Sequence, residues 1–188
     1  MQKDYDKICN SFFREAELGN WQKLNVKSIS KKLKLKEQEL KEIIPSKNHF
    51  LNFYNTIIDK EVINSISKEE LKISSNDEII QEYFMYKLDL MKKYKFGFIN
   101  ILNTSLKDPG FLLINLKSNK ESIKKYVKRV SKTNNNFSRV LLIKLLLGVW
   151  LVAFNKWLYE DDDSETGLAV INKGISKIKK STNLFNKI

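Results

Sequence analysis

The chain has 188 residues, enough for one large domain or for a small module attached to a larger one. Hydrophobic residues make up 42% of it, whereas glycine (6) and proline (2) are too scarce for the many turns of an all-β fold. The formal net charge of +12 comes almost entirely from lysine, and the single cysteine, Cys9, excludes a disulfide within one chain. Composition therefore predicts a helical protein of a reducing compartment.

The positive charge is spread unevenly along the chain. Residues 1–50 hold 11 basic and 7 acidic side chains, residues 51–110 hold 8 and 9, and residues 111–188 hold 15 and 6. The largest positive excess therefore lies outside the N-terminal segment. Nothing resembles the apolar core of a signal peptide, and the interrupted apolar stretch 140–158 is better explained as a buried helix than as a bilayer span. We expect a cytoplasmic protein.

Apolar residues at three- and four-residue spacing predict helices in the first third of the chain. A first helix stops at Gly19, a short helix spans about 26–33, and after a break at 34–36 a second short helix runs through Ile43. Pro45 ends this helix, and Ser46 is the expected N-cap of a fourth one. Two short helices joined by a tight turn are the plan of a helix-turn-helix, but many helical hairpins share that pattern.

The remainder of the chain is also predicted to be helical, with short interruptions. Asp108-Pro109-Gly110 is expected to separate two elements. The expected elements are a polar linker over 67–76, a long helix capped by Ser75 or Asn76, a helix from about Phe96, a short segment over 111–116, a basic helix over about 119–132, and two closing helices over about 136–159 and 164–181.

The predicted helix from Phe137 to Tyr159 is apolar on nearly every side, and a helix without a polar face must be covered all round. In a chain of this size a second copy is the simplest cover, packed with the final helix as a twofold four-helix interface. Burial within the monomer is the alternative. The residues expected at a dimer interface are Leu141, Leu145, Gly148 and Val152.

A basic segment runs from Lys117 to Arg139, with eight basic residues against one acid, Glu121. Its apolar residues form a narrow strip of Ile123, Tyr126, Val127 and Val130. A helix of this kind either makes a peripheral contact with an anionic membrane or is simply solvated on its basic face.

The segment from Val26 to Lys47 resembles, without a gap, the helix-turn-helix of the TetR family of transcription regulators. The family's apolar positions fall on Val26, Ile29, Leu33, Leu35, Leu40 and Ile44, and its Ser-Lys pair at the start of the fourth helix falls on Ser46 and Lys47. The run WLYEDDDS at 157–164 is similar to a Trp-Leu-x-acidic run in a TetR-like group from α-proteobacteria, and the segment 77–90 fits the same group.

The resemblance implies an all-α, TetR-like fold, with a helix-turn-helix module over 1–47 and a helical ligand-binding and dimerisation domain over 48–188. It implies a homodimer that binds double-stranded DNA and responds to a small apolar or amphipathic ligand. The residues expected on DNA are Lys27, Lys31, Lys36, Gln38, Lys41 and Lys47. The residues expected around a ligand are Tyr83, Phe84, Leu88, Met91, Phe98 and Phe111. No nucleophile motif, phosphate loop or metal-ligand spacing occurs, so no enzyme activity, cofactor or metal ion is expected.

Two departures from the family pattern bear on DNA binding. Lys34 stands where the family usually has a turn glycine, which costs about 1 kcal/mol if the backbone needs a positive φ. Glu37, Glu39 and Glu42 would oppose nearby phosphates. The alternative is therefore a TetR-fold protein without DNA activity, similar to the lipid- or quinone-binding accessory protein of ubiquinone biosynthesis.

Overall fold

The structure, a computed structural model, describes residues 2–67, 69–131, 136–160 and 165–187. Residues 132–135 and 161–164 lie outside this part of the chain, and with them the predicted end of the basic helix and most of the acidic run. The described residues contain no β-strand. The helices are α1 (Gln2–Glu17), α2 (Val26–Leu33), α3 (Glu37–Ile43), α4 (Phe50–Ser65), α5 (Glu70–Ile73), α6 (Asn76–Lys92), α7 (Lys95–Ser105), α8 (Pro109–Val130), α9 (Asn136–Tyr159) and α10 (Glu165–Thr182), with 3-10 turns at Lys47–His49 and Leu184–Lys187.

The helices group into two compact units. The first unit comprises residues 1–57 and 94–118, and the second comprises 58–93 and 119–188. Helices α4 and α8 each contribute residues to both. The predicted boundary between modules at residue 47 stays a prediction.

The core of the first unit is built on aromatic side chains. Phe13 of α1 is completely buried, and its ring stacks on that of Tyr94 with 4.2 Å between centroids. Its ring also contacts those of Phe50 and Phe98. A Cβ added to Gly97 of α7 would lie 2.8 Å from Cδ1 of Phe13. Helices α1 and α7 therefore pack closely where glycine leaves room for the ring.

The second unit is organised around α9 and α10, which pack along each other. Trp150 and Trp157 of α9 are buried. A Cβ added to Gly174 of α10 would lie 2.7 Å from a methyl carbon of Val149 on α9, so glycine allows the two helices to approach here. By length and composition α9 could cross a bilayer, but a buried helix of a globular core meets the same criteria.

Three sequence-based boundaries differ from the structure. Helix α4 begins at Phe50 rather than at Ser46, because a 3-10 turn comes first and Ser46 Oγ lies 2.9 Å from His49 Nδ1 instead of capping the helix. The predicted linker contains the short helix α5. Finally, the predicted segment over 111–116 and the predicted basic helix belong to one continuous helix, α8. It begins at Pro109, where Asp108 Oδ1 accepts hydrogen bonds from the amides of Gly110 and Phe111 and proline suits the first helical turn.

Candidate functional site

Helix α2 begins and ends with specific local interactions. Asn25 Oδ1 accepts a hydrogen bond from the Ser28 amide at 2.9 Å, and Ser28 Oγ accepts one from the Asn25 amide. At the other end Lys34 has φ 57° and ψ 36°, in the left-handed region. The amide of Leu35 then donates to the Ser30 carbonyl at 2.9 Å, which closes the helix. The turn therefore uses the positive φ that the sequence analysis anticipated, with a lysine in the glycine position.

Helix α3 follows this turn and has a single buried residue. Leu40 is completely inaccessible, while Gln38, Glu39, Lys41 and Glu42 are exposed. Leu40 therefore fixes which side of α3 faces the core and which side faces solvent.

Two of the three glutamates of α3 are paired with lysines. Glu37 Oε1 lies 2.7 Å from Lys41 Nζ, and this hydrogen bond lowers the pKa of the Glu37 carboxyl below its usual value. Glu39 lies 3.4 Å from Lys36 Nζ. Each of these two carboxylate charges is therefore partly compensated by a neighbouring lysine.

An open groove of about 430 Å³ runs between the start of α2, the start of α3 and the approach to α4. The residues that line it are Leu24, Asn25, Val26, Lys27, Glu37, Lys41, Pro45, Ser46 and Lys47. Lysine supplies three of these side chains and glutamate only one. The groove therefore has a positive lining beside the start of α2.

The six residues predicted to contact DNA fall into two groups. Lys27, Lys31, Lys36, Gln38 and Lys41 are all exposed on α2, on α3 or on the turn between them. Lys47 is half-buried instead: its Nζ donates to the carbonyls of Trp21 at 2.9 Å and Gln22 at 2.7 Å, and lies 5.9 Å from the centroid of the Trp21 ring. Because an ammonium has three N–H groups, Lys47 keeps one for a further acceptor.

The second unit contains a buried ionic centre that the sequence analysis missed. Lys87 Nζ of α6 lies 3.0 Å from Asp59 Oδ1 of α4 and donates to Ser122 Oγ of α8 at 2.8 Å. The Tyr126 hydroxyl donates to Asp59 at 2.7 Å, and Lys125 Nζ lies 3.5 Å from its second oxygen. A lysine within the apolar stripe of α6 is the one signal that sequence offered.

Charge and aromatic rings act together at this centre. Burial alone would raise the pKa of Asp59, but Lys87, Ser122 and Tyr126 outweigh burial and hold that pKa below its ordinary value. Burial lowers the pKa of Lys87, an effect that Asp59 opposes. The Lys87 ammonium also lies 5.8 Å from the ring centroid of Tyr126 and 5.3 Å from that of Trp150. Aromatic rings therefore enclose the hydrogen-bonded pair of Lys87 and Asp59.

The residues predicted to surround a ligand are all buried, but they belong to different units. Tyr83, Phe84, Leu88 and Met91 lie on α6 within the second unit, where the Tyr83 ring packs on Tyr126 and that of Phe84 on Trp150. Phe98 and Phe111 belong to the first unit. A shared ligand pocket remains a prediction.

Helix α9 keeps apolar side chains on its solvent side. Leu141 is 37% exposed and Val152 is 54% exposed, Leu145 is half-buried, and Gly148 is exposed with open space beside its Cα. The four residues predicted for a dimer interface therefore line one face of α9, while Leu142, Leu146 and Trp150 occupy its buried face.

The basic segment of α8 does not present its apolar strip to solvent. Ile123, Tyr126, Val127 and Val130 are all buried in the second unit. Its exposed side chains are mainly lysines, so this strip offers no apolar surface to a bilayer. Membrane contact through the segment is left as an untested prediction.

Taken together, these features define an all-α protein of two units, with two short helices joined by a tight turn near its N-terminus. The structure is similar to the crystal structure of a TetR transcriptional regulator from Nitrosomonas europaea ATCC 19718. The TM-score is 0.73 over 95% of this chain and 99% of that one, at 11% sequence identity. No protein-family model matches the sequence, and no curated protein matches it. The chain therefore has the TetR fold, which confirms the predicted fold class.

Proposed function

We propose that this chain is a cytoplasmic, ligand-responsive transcription regulator of the TetR type, which binds double-stranded DNA through α2 and α3. The observation that carries the proposal is the lysine-lined groove beside α3, with Lys27 and Lys41 on its walls. Phosphate contacts supply most of the affinity of such proteins, and lysine provides them as a point charge.

The local pairing of acids supports this function. Lys41 neutralises Glu37, and Lys36 lies beside Glu39, so these two carboxylates oppose a phosphate backbone less than unpaired ones would. Lys27 and Lys31 form no ion pair with any residue in the described ranges, and both are exposed. They are the side chains best suited to meet phosphates directly.

The dimeric state of the regulator rests on α9. Its outward face combines Leu141, Leu145 and Val152 with the open space beside Gly148, and a second copy of the same helix would cover it. The proposed dimer would place two α3 helices on DNA, and half-sites would then lie about 34–36 Å apart, one turn of the duplex.

The proposed ligand is small and apolar or amphipathic. The second unit supports this class because aromatic side chains surround α6 and a buried ionic centre lies at Asp59 and Lys87. Ligand sites in proteins commonly combine an apolar lining with a few polar groups. Mass spectrometry of small molecules extracted from freshly purified protein would identify a co-purified ligand.

The decisive test is a fluorescence-anisotropy titration of random-sequence duplex DNA at two salt concentrations. We expect affinity that falls steeply with salt, and Lys27→Ala and Lys31→Ala should each lower the salt slope by about one. Lys173→Ala, at an exposed position on α10, is the matched control and should leave it unchanged. If the wild-type protein shows no salt-dependent affinity, DNA binding is excluded and the lipid- or quinone-binding accessory function becomes the better hypothesis.

A further inference from the structure

The three glutamates of α3 are not equivalent. Glu37 and Glu39 each have a lysine partner, at 2.7 Å and 3.4 Å. Glu42 is exposed and forms no ion pair with any residue that the structure describes. One carboxylate of the segment is therefore left available to an outside partner, although seven lysines lie within 27–47.

The position of Glu42 follows from the burial of Leu40. Leu40 is completely inaccessible, so its direction marks the inner side of α3. Gln38 and Glu42 lie two residues before and two residues after it, and each is therefore turned about 200° away from Leu40 around the helix. Both are exposed, as this geometry requires. Gln38 and Glu42 thus form the outermost edge of α3, one turn apart on the same side.

The chemistry of these two side chains differs from that of the lysines around them. A glutamine amide both donates and accepts, and in the major groove it pairs with N6 and N7 of adenine. A carboxylate only accepts, and the base edge that suits it is the N4 amino group of cytosine. The same carboxylate is repelled by the acceptor atoms of guanine and thymine, so it discriminates against wrong bases as well as favouring the right one.

We infer that Gln38 and Glu42 are the base-reading pair of this protein, with Gln38 selecting adenine and Glu42 selecting cytosine. This inference rests on the proposed DNA-binding function. The two side chains are separated by about 6 Å along the helix, comparable to two base-pair steps. The charge of Glu42 lowers the affinity of the protein for DNA in general but increases its selectivity for cytosine. The lysines of the groove and of α2 supply the affinity that does not depend on sequence.

The test compares base preferences rather than affinity alone. Duplexes bound by the wild-type protein, by Glu42→Gln and by Glu39→Gln are selected from a random library and sequenced. Glu39→Gln is the matched control, because it removes the same charge from the same helix at a residue that lies to the side and is already paired. We expect both variants to bind random DNA more tightly, but only Glu42→Gln to lose the preference for cytosine at one position of each half-site.

A second measurement isolates the proposed hydrogen bond. The selected duplex is titrated with cytosine or with N4-methylcytosine at the implicated position, since the methyl group replaces the amino hydrogen that faces the major groove. The wild-type protein should lose about tenfold in affinity, and Glu42→Gln should lose much less. Equal base preferences for the wild type and Glu42→Gln would overturn the inference while leaving DNA binding in place. An absence of any DNA binding by the wild type would overturn the proposed function itself.

Discussion

The ammonium nitrogen of Lys87 lies 3.0 Å from a carboxylate oxygen of Asp59, and both side chains are almost completely withdrawn from solvent. The two residues come from α6 and α4, and Ser122 and Tyr126 of α8 complete the hydrogen bonds of the carboxylate. Burying two charges is costly, and their attraction offsets the cost only when hydrogen bonding is complete. This centre therefore holds three helices of the second unit in one relative position.

Removing the positive partner should strongly destabilise the protein. Lys87→Met leaves the Asp59 charge buried, and we expect a loss of about 3 kcal/mol in the free energy of unfolding. Ser122, Tyr126 and Lys125 still contact Asp59, which places the loss at the lower end of the range for such pairs. Urea denaturation measures it.

Controls separate the pair from the loss of a lysine as such. Lys173→Met, at an exposed site on α10, should change the free energy of unfolding by less than 0.5 kcal/mol, which is about the limit for surface substitutions. The double variant Asp59→Leu, Lys87→Met should lose less than the sum of the two single variants, because neither charge remains unpaired. Additive losses would contradict a coupled pair.

Acid should weaken the contribution of Asp59. Lys87 and the hydrogen bonds from Ser122 and Tyr126 hold the pKa of Asp59 below its ordinary value despite burial. Its stabilising effect is therefore complete above the unfolded value of about 3.9 and is lost as pH falls through the lower folded value. The difference in stability between the wild type and Asp59→Asn should stay constant from about pH 7 to pH 5 and shrink below about pH 4. If this difference in stability instead grows in acid, the pKa of Asp59 is raised in the folded protein rather than lowered.

A substitution at Lys34 should stabilise the turn between α2 and α3. Lys34 has a φ of 57°, a conformation that a residue with a Cβ adopts at a cost and glycine adopts readily. Lys34→Gly should raise the free energy of unfolding by up to about 1 kcal/mol. Lys31→Gly, inside α2, should lower it by about the same amount. We expect thermal or urea unfolding to show changes of opposite sign in the free energy of unfolding for the two variants. Changes of the same sign would contradict the left-handed conformation of Lys34.

Close packing at Gly97 predicts a sensitive position. A Cβ there would meet Cδ1 of Phe13 at 2.8 Å, and that ring is held by Tyr94 and Phe50. Gly97→Ala should therefore destabilise the protein by about 1–3 kcal/mol through overpacking. The double variant Phe13→Leu, Gly97→Ala should lose less than the sum of its parts. If Gly97→Ala instead stabilises α7, as helix propensity alone would suggest, the close approach is not present in solution.

The outward face of α9 predicts a change in oligomeric state. Val152 is 54% exposed within one chain, so Val152→Glu should leave the fold intact but place a charge in the proposed dimer interface. We expect light scattering to show a dimer for the wild type and a monomer for the variant, with unchanged helical circular dichroism. Leu113→Glu, at a site on α8 that is 71% exposed, should remain dimeric. A monomeric wild type would contradict the proposed interface.

Local signals explain which elements could be predicted. The bounds of α2 agree with the prediction because Asn25 caps its first turn and a left-handed residue at Lys34 ends it, and both effects act within a few residues. The break predicted at Asp108-Pro109-Gly110 also agrees with the structure, because proline occupies the first turn of α8, where its missing amide does no harm. The predicted division between 111–116 and a basic helix over 119–132 was wrong, since α8 runs through both.

The sequence alone was sufficient for the all-α class, for most helix positions and for the turn at Lys34, because these depend on periodicity and neighbouring residues. It was not sufficient for the partners of charged groups. Lys87 and Asp59 are 28 residues apart, and Lys47 reaches carbonyls 25 and 26 residues away. Such choices depend on which helices pack together, a property of the folded chain that no local pattern encodes.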